Sequence, residues 1–116
     1  MRILVFDANI SFAREAMNFI EDKVSGAKAE MASNIFILRE RLQSGEWDVI
    51  LADVAAAMDM EGVLKELDKA DCPVIVWSTL NDTLAQRKDV FHKFQLINKP
   101  KTTEQFDRAM ALVSSQ

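Results

Sequence analysis

Four polar residues stand where apolar runs end: Asp7 after "RILVF", Asp53 after "VILA", Ser78 after "PVIVW" and Lys99 after "FQLIN". Each has an ordinary explanation when taken alone. An aspartate at a strand end forms turns, and Asp7 can also cap a following helix. Ser78 alone is a loop hydroxyl and Lys99 a solvated lysine, although a lysine directly before Pro100 at the end of a buried strand is less common. Taken together they have a shared chemistry. Two carboxylates, a hydroxyl and an ammonium are the groups an acyl phosphate requires. One carboxylate attacks phosphorus and the other helps to hold a divalent cation, while the hydroxyl and ammonium bind the transferred oxygens and neutralise their charge. Mg²⁺ is the natural ion for such oxygens, since it keeps several waters and takes only a few protein ligands.

These residues meet only if the strands that carry them run parallel in one sheet, and the periodicity of the chain predicts that they do. From Ser11 to Val24, the residues Ala13, Ala16, Met17, Ile20 and Val24 form one helical stripe, which Gly26 stops. "AKAEMA" (27–32) suits an edge strand, and Ser33-Asn34 can cap a helix bearing Ile35, Leu38 and Leu42 that ends near Gly45. "DVILAD" (48–53) is a near-continuous apolar strand, and residues 60–70 carry Val63, Leu64 and Leu67 on a short helix. "PVIVW" (73–77) is apolar on both faces, as a central parallel strand covered by helices should be. Asn81 or Asp82 starts a helix running to about His92, "FQLIN" (94–98) is a last strand, and Thr102 or Thr103 begins a closing helix with Phe106, Ala109, Met110 and Val113. Five strands alternating with five helices predict a doubly wound α/β sheet with right-handed crossovers. In such a sheet chemistry gathers beyond the carboxyl ends of the strands, which is where the four polar residues fall.

The bulk properties set bounds. The chain has 116 residues, enough for one domain with a real core, and 49% hydrophobic with 28% charged residues is the balance of an ordinary globular protein. A net charge of −4 disfavours direct nucleic-acid binding. The single cysteine, Cys72, cannot form an internal disulfide and reads as a small buried hydrophobe. No run has the length of a signal-peptide core or a membrane span, so a cytoplasmic location is expected. His92 lies in the polar stretch "RKDVFHKF" and has no partner at metal-ligand spacing. Trp77 is expected to fill space between sheet and helix. Val90, Phe91 and Phe94 cannot all face the core of one helix end, which leaves a contact surface or a well-packed end as alternatives.

Along its whole length the chain resembles a receiver domain of bacterial two-component response regulators, the module typified by the chemotaxis response regulator. "ILVFDAN" resembles that family's first strand with its acidic pair and "DVILADV" its third strand with the phosphoacceptor. "PVIVWST" resembles the fourth strand with its Ser/Thr, and "INKP" the Lys-Pro after the fifth. The resemblance implies a flavodoxin-like (βα)5 domain over 1–116, strand order 2-1-3-4-5, with two helices on one face and three on the other; no output domain is expected after Val113. It implies Asp53 as phosphoacceptor, Ser78 as the hydroxyl on the phosphoryl group, and Lys99 as the phosphate-binding ammonium, paired with Asp53 before phosphate arrives. Metal ligands would be Asp7, Asp53 and the backbone carbonyl of Ala55. Lys99 is expected at a solvent rim, so that its removal leaves the fold intact. Leu96 stands where the family often has a switching aromatic.

The departures are specific. The acidic pair is Asp7-Ala8, the loop after Asp53 lacks Met-Pro, and one more residue precedes Gly62; Asp59 or Glu61 could approach the rim in compensation. The expected function is a signalling receiver in a phosphorelay. A sensor histidine kinase or phosphotransfer protein would phosphorylate it on Asp53, and it would act through a downstream protein. No membrane is implied, a homodimer is left open, and self-catalysed phosphotransfer and hydrolysis would be its only enzymatic acts. Ala8 makes Mg²⁺ binding weak or absent and keeps a second reading alive, a phosphorylation-independent pseudo-receiver serving as an interaction module. A dinucleotide binder would need a Gly-rich loop where "DANISFA" stands. An aspartate-nucleophile phosphatase would need an acid at Asn9.

Overall fold

The strands form where β-branched and apolar residues run without interruption, and the helices where apolar residues recur every three or four positions. The computed structural model describes residues 1–55, 57–79 and 94–116. In chain order the elements are β1 (Arg2–Phe6), α1 (Ile10–Lys23), β2 (Lys28–Ala32), α2 (Ile35–Ser44), β3 (Val49–Ala52), α3 (Met60–Asp68), β4 (Val74–Ser78), β5 (Gln95–Asn98) and α4 (Thr103–Ser114). All strand pairings are parallel and the order is β2-β1-β3-β4-β5, the doubly wound flavodoxin-like arrangement expected from the alternation.

The helix expected from Asn81 or Asp82 to about His92, together with Val90 and Phe91, lies outside the described residues. Phe94 is buried under the sheet, so it is not an exposed contact.

Alternation along each central strand divides the core in two. Ile3, Val5, Val49, Leu51, Ile75 and Trp77 face α1 and α4. Leu4, Phe6, Ile50, Ala52, Val74 and Val76 face α2 and α3. Of the helices described, two therefore cover each face. The helix ends follow local chemistry: the side chains of Asn9, Asn34, Asp59 and Thr102 each accept the N–H three residues on, capping α1, α2, α3 and α4. After α1 the chain turns at Gly26 with φ +74°, a conformation that glycine adopts without steric cost. No helix among the described residues is long and apolar enough to cross a membrane.

Candidate functional site

Register decides what meets at the carboxyl rim. Phe6 pairs with Ala52, so the next residues, Asp7 and Asp53, leave the sheet side by side. The ladder runs on one step further: Asp53 N–H donates to Phe6 O at 3.0 Å and Asp7 N–H to Ala32 O at 3.0 Å. On the other side Ser78 pairs with Asn98, and Lys99 N–H donates to Ser78 O at 3.2 Å. The backbone thus carries all four residues to one edge before any side chain is considered.

The two acids are set in matching ways. Asp7 Oδ1 accepts the N–H of Asn9 at 2.8 Å, and Asp53 Oδ1 accepts that of Ala55 at 3.1 Å. Each carboxylate holds its own turn with one oxygen and leaves Oδ2 for the space between the strands. Lys99 fills that space, with Nζ 2.8 Å from Asp7 Oδ2 and 2.9 Å from Asp53 Oδ2. At position 53, forming the turn therefore does not use up the carboxylate, because Oδ1 holds the turn and Oδ2 faces Lys99.

Asp7, Asp53 and Ser78 are buried. Burial by itself would lower the Lys99 pKa, but the attraction of Asp7 and Asp53 outweighs it and holds the ammonium above the ordinary lysine range. Lys99 is mostly buried and closes the acidic site. This corrects the expected placement of the group at a solvent rim, and its loss would leave two buried acids without their counter-charge.

Beside the triad a hollow of about 180 Å³ is lined by Ser78, Thr79, Asn98, Lys99, Lys101 and Gln105. Two lysines and a hydroxyl make its chemistry suited to an anion. A larger cleft, about 430 Å³, opens at the opposite end of the sheet between Arg39, Trp47, Glu66 and Cys72, far from the acids in chain topology. Cys72 is only half-buried there, in the turn before β4, which corrects its reading as a core residue. Burial, then the charges of Asp48 and Asp71, push its thiol pKa up, so it is a poor nucleophile.

The oxygens at the rim suit a hard cation. Asp7 Oδ2 is buried and, apart from its charge pair with Lys99, makes no hydrogen bond among the described residues. Two carboxylates on adjacent strands are a set that Mg²⁺ accepts alongside its waters. Position 8 offers no third carboxylate, and its alanine is exposed. Asp59 does not supply one either. Its Oδ1 accepts Gly62 N–H at 2.9 Å as the cap of α3, and no group of three acidic, His or Cys ligands forms among the described residues. Asn9 is likewise engaged, accepting Phe12 N–H at 3.1 Å, so α1 is capped by Asn9 and not by Asp7.

Phe12 also borders the site, a neighbour that the strand-end pattern does not reveal. Its ring centroid lies 4.1 Å from Lys99 Nζ. An aromatic in the first turn of a helix that starts beside an acidic rim was the available signal.

No protein-family model matches the chain, and no curated protein matches it in sequence. Solved structures do match in shape. The signal receiver domain of a DNA-binding response regulator from Colwellia psychrerythraea is 21% identical with a TM-score of 0.77, over 100% of this chain and 99% of that one. A two-component response regulator from Clostridium difficile is 16% identical with a TM-score of 0.77, over 100% and 97%. The chemotaxis protein CheY4 of Vibrio cholerae is 20% identical with a TM-score of 0.75, over 97% of each. At these identities the likeness is one of fold, and the fold is that of receiver domains.

Proposed function

We propose that the protein is a signal-transduction receiver whose phosphoacceptor is Asp53. The observation that carries the reading is the buried Asp7–Lys99–Asp53 triad, drawn from the ends of three strands at the carboxyl rim of a receiver fold. An ion triad of this kind is seldom the most stable way to fill such a place. Its retention is explained if the groups do chemistry.

In the proposed reaction Asp53 Oδ2 attacks the phosphorus of a phosphohistidine on a sensor kinase or phosphotransfer protein. The new O–P bond forms as the P–N bond breaks, and the imidazole leaves with the electron pair and takes up a proton. Oδ2 is suited to attack because its partner is a side chain that can follow the charge, whereas Oδ1 is tied to the Ala55 N–H. Lys99 then moves its charge to the phosphoryl oxygens, and Ser78 in the adjoining hollow offers its hydroxyl to them. Asp7, Asp53 and the Ala55 carbonyl are the groups that would hold Mg²⁺, which when bound neutralises the developing phosphoryl charge. The signal would pass to a downstream protein through contacts of the altered surface, with no reaction beyond self-catalysed phosphotransfer and hydrolysis.

One observation favours a second reading. Lys99 already bridges both acids and Ala8 withholds a ligand, which suits a pseudo-receiver that binds partners without phosphorylation. Incubation with acetyl phosphate, with and without Mg²⁺, separates the two. Mass spectrometry should find one phosphate, dependent on Mg²⁺ and absent from Asp53→Asn. An unmodified chain at saturating Mg²⁺ would leave only the pseudo-receiver.

A further inference from the structure

The ammonium of Lys99 has two acidic neighbours and one aromatic one. Asp7 and Asp53 take two of its sides, and the Phe12 ring lies 4.1 Å from Nζ on another. The face of a phenyl ring is the negative part of its quadrupole, so a cation at this distance is attracted to it, and more strongly where water is excluded.

The ring is not free to drift. Trp77 meets it edge to face, with centroids 5.6 Å apart and planes at 79°, and Phe106 stacks against it at 5.8 Å and 29°. Phe106 is itself stacked on Phe19 at 4.3 Å and 6°. Residues from α1, β4 and α4 therefore set the plane on which the ammonium rests. Trp77 is also the residue directly before Ser78 on β4, so the ring that bears on Lys99 is packed against the strand that presents the hydroxyl.

Other aromatic contacts in the core need no cation to explain them, and a phenylalanine here could be mere filling. Filling would be satisfied by any apolar side chain of the right volume, whereas only an aromatic face adds an attraction for the ammonium to that of the two carboxylates.

We propose that Phe12 is a positioning residue: its ring face holds the Lys99 ammonium on the Asp7–Asp53 pair and ties that placement to Trp77 and the aromatic stack behind it. What the placement is for rests on the reading of Asp53 as a phosphoacceptor; the placement itself does not. Losing a cation–π contact of this kind should slow a reaction that needs the ammonium in place by about two- to thirtyfold.

The test compares the natural protein with Phe12→Leu and Phe12→Tyr, using chain labelled with ¹³C at lysine Cε. Protons above an aromatic face are shielded, so the Lys99 CεH₂ signal, assigned by its loss in Lys99→Arg, should lie upfield of the other lysines. It should return to the common position in Phe12→Leu and stay upfield in Phe12→Tyr. Phosphate uptake from acetyl phosphate should fall in Phe12→Leu and recover in Phe12→Tyr. An unshifted Lys99 signal in the natural protein overturns the proposal even if Phe12→Leu fails to fold. Where the natural protein takes up phosphate, equal uptake by the leucine variant overturns it as well. A shifted signal in a protein that never takes up phosphate would instead reject the receiver reading and leave Phe12 in its role.

Discussion

The two ends of the sheet carry the same ingredients in opposite surroundings. At the amino end Arg2 pairs with Glu30 at 2.9 Å and lies 4.5 Å from the Trp47 ring centroid, while its backbone N–H donates to Asp48 at 2.6 Å. At the carboxyl end Lys99 pairs with Asp7 and Asp53 and lies over Phe12. Each end thus has a cation, acids and an aromatic. The difference is water. The side chains of Arg2 and Glu30 are 47% and 43% exposed, against 12% for Lys99, 0% for Asp7 and 6% for Asp53. Exposed pairs are screened and contribute little, whereas a buried set carries a desolvation cost of several kcal/mol that its members offset only together. Stability therefore explains the amino end without remainder and does not explain why the carboxyl end is built from charges at all.

The largest effect should come from removing the cation at each end. Lys99→Ala strands two buried acids and should cost about 3–5 kcal/mol in urea denaturation. Arg2→Ala should cost about 1 kcal/mol or less. Similar losses from both would dissolve the distinction. The Lys99 effect should also depend on pH. Its pKa is raised on folding, so its contribution is complete below the unfolded value of roughly 10.4 and disappears as pH rises through the folded one. The stability gap between natural and Lys99→Ala protein should narrow along that alkaline limb.

A smaller effect, and a sharper one, concerns position 8. Ala8 is exposed beside Asp7, so an acid there adds a hard oxygen at the rim without having to be buried. Ala8→Asp should tighten Mg²⁺ binding by about tenfold or more, since changes even one shell further out cost about 10–100-fold. In the metal-free protein the added charge should destabilise modestly, by repulsion from Asp7 and Asp53. Calorimetric titration of both proteins with Mg²⁺ checks this. Equal binding by the two proteins would mean that position 8 has no part in metal affinity, and tighter binding by the natural protein that an acid there is no ligand.

The contrast was partly legible in the order of residues. Strict alternation of apolar runs and helical stripes leaves one economical sheet, and with it the fact that Asp7, Asp53, Ser78 and Lys99 share an edge. Strand ends, however, locate backbone and not side-chain tips. Nothing in "INKP" says that Lys99 lies across both acids, and it read as a group at a solvent rim because lysines are seldom buried. Phe12 escaped notice because the stripe through Ala13, Ala16 and Ile20 accounts for the helix without it. Asp59 was a candidate for the rim until its carboxylate was found to cap α3, a local bond that competes with any distant one. Cys72 beside Pro73 looked like core because free cysteines generally are, but the turn before β4 leaves it at a cleft edge.

The smallest expected effect belongs to the amino-end cleft, where Arg39 Nε donates to Glu66 Oε1 at 2.9 Å. The hydrogen bond from Arg39 lowers the Glu66 pKa; burial opposes it, and the charges of Lys69 and Arg39 add to the lowering. A carboxyl group whose pKa falls on folding stabilises the protein above its unfolded value, roughly 4.3, and that contribution is lost as pH falls through the folded one. Arg39 is nearly half exposed, so water screens the pair and the whole contribution should stay within about 1 kcal/mol at neutral pH. Glu66→Gln should therefore lower stability by that small amount at pH 7, and less in high salt. The two proteins should converge in acid, below the lowered folded pKa of Glu66, where it is protonated in both states. Denaturation curves at a series of pH values measure this directly. A loss at pH 7 rivalling that of Lys99→Ala would show that partial exposure does not protect the amino end from depending on its charges, and the argument for chemistry at the other end would lose its control.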